Sequence, residues 1–332
     1  MIRLLFSIIL LAAAAHPQDK PFAVLHQCCV LSPDDIKTLD RGQPIGRLIK
    51  SGEDADIAIM GAIRLSVSKE TFLRWYRNVE NYKYSELVEQ AVRFHVPPQP
   101  EDAATLVIDA NQLKLLKECR PGQCGFKFSN ENIARLQSQL DWSQRDVSAK
   151  AEGLARSILL RNVTEYLEQG DDALTKYNDK PEELDVRATF RSLLESSPYV
   201  KAAFPALYNR LWHYRGIQQS AEKDDLFYWS RERYGFGLKS LVNVSHTTTF
   251  HASPAVTVLA TRQIWASHYY DGSLSITVLV DANPGTYLVF LNRSRIDLLK
   301  ASGVKRWLVK RFAPGAIRKE VTALKRQVEG QP

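Results

Sequence analysis

The chain has 332 residues, 45% hydrophobic and 24% charged, with a formal net charge of +7. That balance excludes a disordered chain and gives enough apolar material for one large core or two smaller ones. No repeat of fixed period and no low-complexity tract interrupts it.

The N-terminus reads Met1-Ile2-Arg3, an apolar run over residues 4–11, and Ala12 to Ala15 before His16-Pro17. A basic start, a short apolar stretch and small residues at the cut describe a secretory signal peptide over residues 1–15, cleaved near Ala15 and too short to be a stable span. The mature chain is therefore expected outside the cytoplasm, secreted or periplasmic. A lipoprotein would need a cysteine directly after the apolar run, and Cys28 is too far away.

Residues 16–55 read as a loose lead to about residue 31, then a short helix and a first strand. Ser32-Pro33-Asp34-Asp35 carries an N-cap, a proline at the first helical position and an acidic first turn, and Gly42 lies beyond the end. Strands are predicted over 45–50 and 56–67. In the second, Ile57, Ile59, Ile63, Leu65 and Val67 share one face with Gly61 in the same row. Ser68 caps a helix carrying Phe72, Leu73, Trp75 and Tyr76. A strand over 90–96 ended by Pro97-Pro98, a segment over 106–109, a helix over 112–118 and a strand over 125–128 complete an N-terminal α+β part, residues 56–129.

The four cysteines fall in two close pairs. Cys119 and Cys124 flank Arg120-Pro121-Gly122-Gln123, a turn that brings the sulfurs together, so a local disulfide is favoured in an exported chain. A metal site would want further ligands, and a redox pair is usually spaced CxxC. Cys28 and Cys29 are adjacent; a bond between neighbours is strained, which favours free thiols or distant pairing.

Residues 130–215 are helical, an insertion or a separate lobe. Val147, Ala151, Leu154, Ala155, Ile158, Val163, Tyr166 and Leu167 form an apolar stripe on one long helix stopped by Gly170. Helices over 184–194 and 199–214 follow, the second bent or capped by Pro205. After a polar connection over 216–225 come strands at 227–234, 240–250, 256–262 and 264–270.

Leu274, Ile276, Val278 and Val280 then point one way while Ser275, Thr277 and Asp281 point the other, the period of a half-buried strand. Asn283-Pro284-Gly285 turns the chain, and 286–292 returns as the antiparallel partner. The period becomes helical at Val304, Trp307 and Leu308, breaks at Pro314-Gly315, and resumes at Ile317, Val321, Leu324 and Val328. The fold class is α+β: a curved antiparallel sheet with a long C-terminal helix laid across it, built from residues 226–328 and the N-terminal strands.

The early strand leading through Ser66-Val67-Ser68-Lys69-Glu70 into an aromatic helix, the late meander, and Trp307-Leu308-Val309-Lys310-Arg311-Phe312-Ala313 with Val321-Thr322-Ala323-Leu324-Lys325 resemble the START and polyketide-cyclase-like superfamily, the helix-grip fold. The likeness covers roughly residues 56–96 and 226–328, in a chain with the look of exported bacterial proteins. It implies a sheet wrapped round the long helix, with a cavity for lipids, sterols or other apolar ligands.

If the strand faces line such a cavity, His246, beside Val242, Val244 and Phe250, and His268, beside Ile264, Ala266 and Tyr270, are candidates to orient a polar head or act as general base. Trp265, Tyr270, Phe250 and Trp307 are the candidate apolar lining; strand aromatics are more often packing. Glu232, Asp271 and Asp281 are candidate acids near strand ends. No GxSxG elbow, Walker loop, GxGxxG or HExxH pattern occurs, and no cofactor or metal is called for. Asn162-Val163-Thr164, Asn243-Val244-Ser245 and Asn292-Arg293-Ser294 match glycosylation acceptors, relevant only in a host with that pathway.

Between Arg293 and Arg326 stand eleven Lys or Arg against Asp297 and Glu320. A solvated helix face and attraction to anionic lipid headgroups both fit this density; export disfavours nucleic acid. The expected function is an exported binding protein holding an apolar or amphipathic, lipid-like molecule between sheet and C-terminal helix. The alternatives are a cyclase- or hydrolase-type enzyme on the same scaffold, or a structural or interaction protein of the cell envelope.

Overall fold

The computed structural model describes residues 19–29, 31–51, 55–217, 225–234, 238–300 and 303–330. The expected signal peptide lies outside them. In chain order the helices are α1 (Asp19–Cys29), α2 (Pro33–Asp40), α3 (Lys69–Arg77), α4 (Ala110–Glu118), α5 (Asn130–Gln139), α6 (Val147–Gln169), α7 (Val186–Glu195), α8 (Pro198–Ala203), α9 (Pro205–Trp212), α10 (Asp297–Lys300) and α11 (Gly303–Glu329). The strands are β1 (Ile45–Ile49), β2 (Asp56–Leu65), β3 (Val88–Arg93), β4 (Lys176–Tyr177), β5 (Leu184–Asp185), β6 (Leu226–Glu232), β7 (Leu241–Ser253), β8 (Val256–Ala266), β9 (Tyr270–Asp281) and β10 (Thr286–Ile296).

The fold is α+β. Eight strands form one open antiparallel sheet in the order β1-β2-β10-β9-β8-β7-β6-β3, and β4-β5 is a separate two-stranded ladder. The turn between β9 and β10 depends on Gly285 at φ +90°, where a Cβ would collide with the Leu65 carbonyl. Local caps place the helices: Ser32 and Asp35 form a capping box on α2, and the Ser68 hydroxyl accepts from the Thr71 amide on α3.

Helices cover both faces. On one, Phe72, Leu73 and Trp75 of α3 and Val321 and Val328 of α11 share a core with Ile63, Leu65, Leu259, Leu279 and Leu288. On the other, α1 and α7–α9 pack over Met60, Val258, Leu274, Ile276, Val278 and Val289. Farther along that face, α4–α6 pack over Phe227, Trp229, Val242, Val244, Ile264 and Trp265. The helical middle of the chain thus shares its core with the sheet.

The structure corrects several local expectations. The loose lead is the helix α1, whose Leu25, Cys28 and Cys29 are buried in the core under α8. The Cys28 and Cys29 sulfurs are at bonding distance from each other rather than free or paired far away, and Cys119 and Cys124 close their own disulfide, which leaves no distant partner. Residues 125–128 are not a strand: Phe128 N bonds the Phe126 carbonyl and Lys127 N bonds Ser267 O, so no ladder forms. The strands read over 256–262 and 264–270 are one strand, β8, as far as Ala266, with a bulge in its pairing to β7 near Val244 and Ser245, and Tyr270 opens β9. Helix 199–214 divides at Pro205 into α8 and α9. α11 runs through Pro314 without a break. An interior proline costs about 3 kcal/mol, and here α11 is seated on β1 and β2, where glycines accept it: a Cβ on Gly46 would collide with the Pro314 carbonyl.

Candidate functional site

Alternation along β6–β10 sorts side chains onto two faces, and contacts fix which face is which. Leu259, Leu279 and Leu288 pack with α3 and α11, so residues two steps along these strands share that face. Going away from that core, the apolar row gives way to Thr247, Thr261, Gln263, Ser275, Ser273, Asn292 and Ser294. Tyr76 of α3 confirms the orientation, with its hydroxyl 3.3 Å from Thr247 Oγ1 and 3.5 Å from Thr261 Oγ1.

Most of this polar floor is internally bonded. Asn292 Nδ2 donates to Ser273 Oγ at 3.0 Å and Ser275 Oγ at 2.7 Å, and Ser294 Oγ donates to Asn292 Oδ1 at 2.8 Å. At the β6 side Ser230 donates to Glu232 at 2.7 Å, Tyr234 donates to the same carboxylate, and Tyr270 donates to Tyr234 at 3.2 Å. Burial, reinforced by the Glu232 charge, holds the Tyr234 phenol well above its ordinary range and pushes Tyr270 up to about 12. Both phenols therefore remain protonated donors at neutral pH.

Two amides in this row are not satisfied. Gln263 is 3% exposed and neither Nε2 nor Oε1 has a hydrogen-bond partner; on the next strand Asn243 Oδ1 is also buried and unpartnered. Gln263 lies across from Ser245, and Asn243 from Ser230, which keeps both on the α3 and α11 face. A buried amide with no partner is costly, by about 1–3 kcal/mol, and each such group in a folded protein calls for an explanation. Asn243, Thr261, Tyr270, Ser273, Ser275 and Asn292 are only half-buried, whereas at the β1 and β2 end Ile317 and Val321 close directly over Gly61. The helix therefore seals one end of the face and leaves the polar end accessible.

The six residues singled out from the sequence are not brought together. His246, Trp265 and Phe250 lie on the opposite face, Tyr270 belongs to the polar floor, and Trp307 is exposed on α11. His246 is buried between Tyr166 and Asp225. His268 is buried against the Phe126 ring with Nε2 unpartnered, and desolvation, with the positive Lys239 adding to it, holds it down at about 4. Trp265 stacks on Phe128 and donates to Lys127 O at 2.8 Å. The alternation expected from Ile264 to Tyr270 fails twice: a bulge lets Ile264 and Trp265 both enter the α4–α6 core, and β8 ends at Ala266 so that Tyr270 opens β9.

Among the other candidate acids, Asp271 pairs with Lys127 at 2.8 Å inside the protein, with Asp297 3.1 Å from the same ammonium, and Asp281 pairs with Lys69 at 2.9 Å. Glu232 alone of the three stands on the polar floor. The sequence did carry a signal for this floor, the Ser and Thr phase of the β9 alternation, which by itself does not say which polar residues of the neighbouring strands lie beside it. Among the described residues no group of three or more His, Cys, Asp or Glu side chains is placed to hold a metal ion.

No protein-family model matches the chain, and a comparison with curated proteins finds no match.

Proposed function

We propose that the chain is an exported binding protein that holds an amphipathic small molecule on the α3 and α11 face of the sheet. The observation that carries this reading is the Gln263 carboxamide, buried with donor and acceptor both unpaired in a polar row where, of the other amides, only Asn243 Oδ1 also lacks a partner. A ligand head bearing both a donor and an acceptor, such as an amide, a hydroxyl beside a carbonyl, or a carboxylic acid, fits Gln263 and Asn243 together. Its apolar remainder fits the adjoining surface of Leu259, Phe290, Tyr76 and Tyr228. The order of elements supports a helix-grip relationship: β2 leads into α3, the meander β6–β10 closes back on β2, and α11 follows the last strand. Export rests on the N-terminal 15 residues, with their basic, apolar and small-residue regions.

The test is native mass spectrometry of the mature chain, organic extraction of the same preparation, and melting with added oleic acid, oleamide and lysophosphatidylcholine as probes. A co-purified mass of small-molecule size, or a probe that raises the melting temperature with saturation, is expected; a ligand at 100 times its Kd adds about 2.7 kcal/mol. A repeatedly empty protein that none of the three probes stabilises overturns the reading.

A further inference from the structure

A stretch near the start of α11 is exposed all round: every residue from Trp307 to Phe312 is open to solvent. Trp307 and Phe312 are 61% exposed, Leu308 41% and Val309 36%. These are four of the six exposed large hydrophobic side chains among the described residues, so the exposure is concentrated and not scattered. At about 100° per residue, Leu308 and Phe312 lie one turn apart with Trp307 and Val309 on either side. Lys310 falls on the opposite side and Arg311 beside Trp307, which makes the tip amphipathic.

We propose that this tip seats in the headgroup region of an anionic lipid bilayer. Between Asp297 and Glu320 the sequence carries Lys300, Lys305, Arg306, Lys310, Arg311, Arg318 and Lys319 and no acidic residue. Basic residues close to such a surface attract it, and Trp favours the interfacial depth. No helix among the described residues is long and apolar enough to cross a membrane, so the contact is interfacial.

The rest of α11 is anchored to the sheet and the loop before β3: Arg318 donates to Gly46 O at 3.2 Å, Lys319 pairs with Glu86 at 2.6 Å, and Lys325 donates to Arg64 O at 2.6 Å. A second copy of the chain is a poorer occupant. A two-fold contact through this strip sets Lys310 and Arg311 of one copy near those of the other.

The experiment uses the mature chain with sedimented vesicles of phosphatidylcholine containing phosphatidylglycerol, and with phosphatidylcholine alone. Partition into the anionic vesicles is expected at least about tenfold above the neutral ones and to fall with salt. The double variant Leu308→Ser/Phe312→Ser alters only exposed positions, so its melting temperature should match the parent while its partition drops about tenfold or more. On vesicle addition the tryptophan emission should shift to the blue in the parent and much less in Trp307→Phe. Absence of vesicle binding, or binding unchanged in the double variant, overturns the proposal. So does a parent dimer in sedimentation equilibrium that the double variant converts to monomer, which assigns the strip to self-association.

Discussion

The Tyr166 hydroxyl of α6 lies 2.9 Å from Nδ1 of His246 on β7, both side chains fully inside the protein. Burial holds the imidazole below its ordinary range and the phenol well above, so at neutral pH the tyrosine O–H donates to Nδ1 and the other ring nitrogen, Nε2, donates to Asp225 at 3.2 Å. Arg262 continues the chain, donating to Tyr166 Oη at 3.1 Å, to Leu211 O at 3.1 Å and to Asp171, with its guanidinium 3.7 Å from the Phe190 ring centroid. One connected polar network thus bolts the helical middle to the sheet.

Tyr166→Phe removes two of those hydrogen bonds and leaves His246 Nδ1 and one Arg262 N–H unpaired in the interior. We expect a loss of about 1–3 kcal/mol by urea unfolding. Asp171→Asn, which leaves the Arg262 charge buried without its carboxylate, should cost more, about 3–5 kcal/mol. Near-neutral results for both would mean that the network is not connected as described.

His268 should set part of the acid limb of stability. Its folded value of about 4 lies below the ordinary histidine value of 6.5, so the unfolded chain binds the proton more readily. The contribution is therefore complete above pH 6.5 and is lost as pH falls from 6.5 toward 4. Its size is about 3 kcal/mol at the upper bound. His268→Phe, packed beside Phe126, should flatten melting temperature against pH across that window. Carboxylates held low, such as Asp297, act at lower pH, while His246, also held below its ordinary range by burial, keeps its own share of the slope, so the substitution flattens the profile without abolishing it. A profile unchanged by the substitution would contradict the assignment.

The alternation of β9, the caps at Ser32 and Ser68, the turn at Gly285 and the stripe of α6 were legible because each is a local rule acting over a few residues. What sequence could not supply is non-local. The bulge that turns Ile264 and Trp265 to the same core depends on the partner strand, and continuation of α11 through Pro314 depends on Gly46 of a strand about 270 residues earlier. The same limit hid the polar floor. Ser275 reads only as the polar phase of a half-buried strand, and it takes the strand pairing to show that it, Ser273, Asn292 and Gln263 share one surface.

Gly61 tests the sealed end of that face. A Cβ there would stand 2.7 Å from Ile317 Cγ2 and 2.9 Å from Val321 Cγ1, so α11 rests directly on the strand. Gly61→Val should destabilise by about 1–3 kcal/mol through overpacking. Adding Ile317→Ala should recover part of it, because the two changes meet at one contact. Additive losses in that double variant would show that the helix is not seated there.

Gln263 gives the sharpest outcome because stability and binding should move in opposite directions. In the ligand-free protein its carboxamide is desolvated with no compensating bond, a penalty of about 1–3 kcal/mol that Leu, nearly isosteric, does not carry. Its strand neighbours do not need the amide, since Ser273, Ser275, Asn292 and Ser294 satisfy one another. Gln263→Leu should therefore raise the urea midpoint of the empty protein while it weakens the bound molecule. A group kept at a stability cost for the sake of binding behaves in this way. A purely structural glutamine, bonded in solution to a neighbour, predicts the reverse, loss of stability with binding unaffected, and equilibrium unfolding with and without the extracted ligand separates the two.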